Sequence, residues 1–77
     1  MTLKQVEDLV VRLLKPIFAY AIKRCATPED AEDLTQEIVL RLLRMLPKRD
    51  DLQDAESYCW TVAHNMLSNY YRYARRL

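Results

Sequence analysis

Apolar residues recur along this chain at the spacings of three and four that put them on one side of an α-helix, and they do so in three stretches. The first holds Leu3, Val6, Leu9, Val10, Leu13, Leu14, Ile17, Phe18 and Ala21, behind a capping box made by Thr2 and Gln5. Pro16 interrupts it, and a proline has no N–H for an interior turn, so this helix is expected to be kinked or restarted there. The second start is marked by Thr27 as cap, Pro28 at the first helical position, and Glu29 and Asp30 on the positive end of the dipole. Its core stripe is Ala31, Leu34, Ile38, Leu42, Met45 and Leu46, ending at Pro47. A polar connection, PKRDDLQD, follows. Asp54 then caps a third helix that carries Glu56 in its first turn and is expected to reach about Arg75. Its inward side is predicted to hold Ala55, Tyr58, Cys59, Val62, Ala63, Met66, Tyr70 and Tyr73. The pattern predicts an all-α, compact three-helix domain with its first helix kinked near Pro16, spanning residues 1–77 as a single unit.

Composition narrows this picture. With 77 residues and 51% apolar side chains, a packed core is expected, but a thin one whose stability depends on close helix packing. The chain has no glycine, which suits helices joined by short connections. No apolar run approaches the roughly 18 residues of a membrane span, and no basic-then-apolar leader is visible, so a cytoplasmic protein with no membrane insertion is expected. Cys25 and Cys59 are then read as free thiols. His64 is the only histidine, so neither a metal site nor a cofactor is expected.

The net charge of +1 hides a pattern. Residues 1–26 carry five Lys/Arg and two acids, residues 27–56 carry four and nine, and residues 57–77 carry three arginines and no acid. An acidic middle between basic ends suggests two partners on two surfaces.

Helical phase supplies those surfaces. Opposite the core stripe of the second helix lie Asp33, Gln36, Glu37, Arg41 and Arg44, with Leu40 in their midst and Leu43 at the edge. An apolar anchor inside a polar rim is how a helix docks on a partner protein. The far side of the third helix is predicted to hold Trp60, Thr61, His64, Leu67, Ser68, Tyr71, Arg72 and Arg75. The ridge of Trp60, His64, Tyr71 and Arg75 offers rings for bases and cations for phosphates, a combination suited to unpaired nucleic acid. Two other readings stay open on these residues. Trp60 packs under the first helix while the arginines balance the C-terminal dipole, or both faces of a stand-alone helical adaptor contact proteins without DNA. An enzyme with His64 as base finds little support, because no carboxylate or nucleophile shares its face; no catalytic residue is assigned.

DAEDLTQEIVLRLLR (30–44) and SYCWTVAHNMLSNYYR (57–72) together resemble region 2 of bacterial sigma factors, in particular the extracytoplasmic-function (ECF) group. The acidic D-L-x-Q-E helix reads here as Asp33-Leu34-Thr35-Gln36-Glu37, and the aromatic helix with its A-x-N turn as Ala63-His64-Asn65. The family usually has Trp at Tyr58 and an aliphatic or aromatic residue at Trp60. The resemblance implies a transcription initiation factor in which Asp33, Gln36, Glu37, Leu40, Arg41 and Arg44 dock on the coiled coil of the largest subunit of core RNA polymerase. It implies that the third helix and the loop before it bind the non-template strand of the promoter −10 element as the duplex opens. Lys48, Arg49 and Asp50, then Trp60, Thr61, His64, Asn65, Ser68, Arg72 and Arg75 match that role, with Tyr71 beside them on the ridge. An anti-sigma factor is an implied further partner. The family's region 4 domain, which binds the −35 element, is expected to be absent from these 77 residues.

Overall fold

The computed structural model describes residues 1–49 and 53–76. It contains three α-helices, α1 (Leu3–Ile22), α2 (Pro28–Met45) and α3 (Ala55–Arg76), with a 3-10 turn (Leu46–Lys48) continuing from α2. The described residues include no strand.

Local chemistry fixes each start. The Thr2 hydroxyl accepts the Gln5 N–H at 3.2 Å while the Gln5 side chain accepts the Thr2 N–H at 2.9 Å, so the two satisfy each other's orphan donors. Thr27 accepts from the Asp30 N–H at 3.1 Å ahead of Pro28. Asp54 accepts both the backbone N–H of Ser57 (3.0 Å) and its hydroxyl (2.8 Å). These two hydrogen bonds, the backbone one foremost, hold the Asp54 carboxyl below the usual range and keep it anionic at the positive end of α3. Pro47 does end α2, although the chain tightens into the 3-10 turn before leaving the helical path.

Of the two outcomes expected at Pro16, a kink or a restart, the restart does not occur: α1 runs unbroken through it. Pro16 is exposed, while Leu13 before it and Ile17 after it are both buried on the core side. Packing on that side therefore holds the helix together across the missing hydrogen bond.

The core is one cluster drawn from all three helices. Val6, Leu9, Val10, Leu13, Ile17 and Ala21 of α1 meet Ala31, Leu34, Ile38 and Leu42 of α2, then Leu46, and Cys59, Val62, Ala63 and Leu67 of α3. Full burial of each large member is worth about 1.5–3 kcal/mol. The α1–α2 pair forms the main interface, and α3 lies against both.

On α3, two side chains fall on faces other than the expected ones. Leu67, placed outward by helical phase, is only 4% exposed, because α1 covers that flank of α3 and widens its buried arc. Tyr73, placed inward, is 63% exposed, because Tyr70, one turn earlier, already meets the start of α2 and the next turn projects past it. On α1, Leu3 and Leu14 also face solvent beside Val11 and Ile22. Cys25 is half-buried and Cys59 fully buried, both as free thiols. Burial pushes the Cys59 thiol up to about 11, with Glu56 adding to the effect. No described helix is long and apolar enough to cross a membrane.

Candidate functional site

The outer face of α2 emerges as the sequence predicts. Asp33, Gln36, Glu37, Leu40, Arg41 and Arg44 are all exposed, and Leu40 keeps 53% of its surface in solvent among charged neighbours. The charged members of this strip have no ion-pair partner among the described residues. The strip borders an open groove along the α2–α3 seam, whose far wall is Met66, Asn69, Tyr70 and Tyr73 of α3.

On α3 the residues matched to strand binding separate into two rows. Thr61, Asn65, Ser68 and Arg72 form an exposed outer crest. The Thr61 hydroxyl donates back to the Ser57 carbonyl at 3.1 Å. Arg72 has no ion-pair partner among the described residues. Trp60, His64 and Tyr71 run along the flank next to α1, and there α1 supplies a partner the sequence reading missed. Tyr20 meets Trp60 edge-to-face at 5.8 Å between ring centres and His64 at 4.8 Å. Its hydroxyl is hydrogen-bonded to the His64 Nδ1. Trp60 is half-buried against α1 while Tyr71 is 41% exposed, so neither ring is sealed in the interior. Edge-to-face pairing adds about 0.5–1.5 kcal/mol beyond burial and fixes ring orientation.

The C-terminal turns of α3 hold the connection between α1 and α2. The Tyr71 hydroxyl donates to the Arg24 carbonyl at 2.7 Å. The Tyr70 hydroxyl accepts the Ala26 N–H at 3.1 Å and donates to the Asp30 carboxylate at 2.8 Å. The Ala26 N–H by itself favours the phenolate, but the Asp30 carboxylate and desolvation outweigh it and raise the Tyr70 phenol above its ordinary value. Arg24 lies with its guanidinium carbon 3.9 Å from the centre of the Tyr20 ring and donates to the Tyr20 carbonyl at 3.2 Å.

Before α3, Lys48 ends the 3-10 turn, exposed, and the Arg49 guanidinium lies 5.2 Å from the centre of the Tyr58 ring. Tyr58 is half-buried and donates to the Met45 sulfur at 3.6 Å. Asp50 lies outside the described residues; Arg75 falls within the helical span of α3, with its side chain outside the description. No cluster of His, Cys, Asp or Glu among the described residues could hold a metal ion.

The arrangement therefore puts a charged, leucine-centred strip and a ring-and-cation surface on neighbouring helices of one small core. Comparison with curated proteins and with solved structures finds no match. Among protein families, the model described as Sigma-70 region 2 matches residues 9–77, which take in most of α1 and all of α2 and α3, and the chain belongs to that family.

Proposed function

We propose that this domain binds core RNA polymerase through the outer strip of α2 and holds the non-template strand of an opened −10 promoter element along α3 and the loop before it. Membership of the sigma-70 region 2 family supports polymerase binding and promoter recognition in general. The observation that carries the finer reading is the pair of unlike outward surfaces on adjacent helices. Leu40, ringed by Asp33, Gln36, Glu37, Arg41 and Arg44, has the form of a docking anchor. The rows Thr61, Asn65, Ser68, Arg72 and Trp60, His64, Tyr71 offer hydrogen bonds, rings and charge to a strand whose bases are unstacked. Lys48 and Arg49, exposed ahead of α3 with Arg49 over the Tyr58 ring, add positive charge before that surface. Base edges become readable once pairing is broken, so an extruded base is the natural sequence-reading target. The resemblance of the motifs supports reading the domain as a cytoplasmic initiation factor of the ECF group, with an anti-sigma factor as a regulatory partner.

Titration of single-stranded oligonucleotides of varied −10 sequence, followed by Trp60 fluorescence, tests the strand surface. One sequence should bind tightest, and Arg72→Ala should weaken binding and flatten its salt dependence by about 0.7 in the log–log slope. Glu37→Arg should leave oligonucleotide affinity unchanged and abolish capture by core polymerase. Equal affinity for all sequences together with an unaltered Arg72→Ala slope would overturn the strand assignment.

A further inference from the structure

We infer that Arg24, held on the ring of Tyr20, is a phosphate-binding residue for the same single strand, so that the strand surface extends from α3 onto the turn that follows α1. The inference rests on the strand-binding reading above and deepens it. Its starting point is a gap on α3 itself: His64 and Tyr71 are seven positions apart, about 10 Å along the axis. Arg24, in the turn just past α1, contacts both ends of that interval, through its side chain on Tyr20 and through its backbone carbonyl. Its guanidinium covers Tyr20, whose ring contacts both Trp60 and His64, and its backbone carbonyl accepts from the Tyr71 hydroxyl. Arg24 is thus tied to all three members of the ring row.

Its chemistry suits a phosphodiester. A guanidinium carries five N–H donors in a planar fork. Here one N–H bond goes to the Tyr20 carbonyl, and no carboxylate partner is found among the described residues. The Asp30 carboxylate, at the start of α2, is engaged by Tyr70. Stacking on a ring fixes the plane of the fork, which lowers the ordering needed to meet two phosphate oxygens. Exposed Lys23 next to it adds a second positive charge. A surface arginine that only capped the C-terminal dipole of α1 would need neither the stack nor the link to Tyr71.

The test uses the whole chain and a dye-labelled single-stranded oligonucleotide carrying its preferred sequence, titrated at several salt concentrations, with Arg72→Gln as the reference variant. Arg24→Gln should bind about threefold to fivefold more weakly and lose about 0.7 of the log–log salt slope, the share of one phosphate contact on a single strand. Arg24→Lys keeps the charge but not the fork, so it should retain the slope while losing affinity. A slope that falls in Arg72→Gln and stays at the wild-type value in Arg24→Gln overturns the role of Arg24 and leaves the α3 reading standing. Unchanged slopes in both variants overturn the strand reading and this inference with it. Thermal melts of each variant are run alongside. If Arg24→Gln melts early, Arg24→Lys decides, because a slope lost despite the retained charge contradicts phosphate binding.

Discussion

Leu40 and Leu42 lie two residues apart on α2 and face opposite ways, so truncating each to alanine separates interface from core. Leu42 is fully buried, whereas Leu40 keeps 53% of its surface in solvent. Leu42→Ala removes packed methyl groups and leaves a cavity, at a cost of about 2–5 kcal/mol. A domain of 77 residues holds about 4–12 kcal/mol of total stability at the usual per-residue value. The loss is therefore a large fraction of what exists, and Tm should fall by about 10 °C or more. Leu40→Ala should stay within about 0.5 kcal/mol of the parent, since its side chain is already wet. If Leu40 anchors the polymerase contact, its loss should cost at least about 1 kcal/mol of binding, roughly fivefold in affinity. Circular-dichroism melts of both variants, paired with competition for core polymerase, read the two quantities independently. A Leu40→Ala variant that melts as early as Leu42→Ala, or that competes as well as the parent, would refute the division of α2 into an inner and an outer face.

Other outcomes follow from the caps and thiols. Thr27→Ala removes the acceptor for the Asp30 N–H and should cost about 1 kcal/mol, whereas Thr27→Ser should restore it; urea midpoints compare them. In the native protein a thiol reagent should label half-buried Cys25 readily and reach Cys59 only after denaturation. The folded Cys59 thiol titrates near 11, above its unfolded value, so the folded state binds more protons at high pH. That contribution is intact below about pH 8.5, and stability should decline as pH rises toward 11, less steeply in Cys59→Ala than in the parent. A decline of equal steepness in both would show that another group governs alkaline unfolding.

Much of the fold was legible because its signals are local. Thr2 with Gln5, Thr27 with Pro28, and Asp54 with Ser57 set helix starts through contacts within a single turn, and such contacts are written directly in the sequence. Pro16 left a kink and a restart both open, because whether a helix survives a proline depends on the core contacts of Leu13 and Ile17 on either side. Leu67 and Tyr73 exchanged faces for a related reason. Helical phase gives the direction of each side chain but not how far a neighbouring helix extends across it. The outer strip of α2 needed only that direction, and Asp33, Gln36, Glu37, Leu40, Arg41 and Arg44 are exposed as expected. Tyr20 and Arg24 escaped notice because their partners on α3 lie more than forty residues away. Nothing within the periodicity of α1 distinguishes Tyr20 from an ordinary half-buried aromatic.

The paired phenols at the end of α3 have a mechanical consequence. Tyr71 bonds the Arg24 carbonyl just past α1 while Tyr70 bonds Ala26 and the first turn of α2, so the short connection between those helices is held near both ends. Moving the ring row away from its place therefore strains the hydroxyl links to that connection and to the first turn of α2 together, which ties the end of α3 to both neighbouring helices at once.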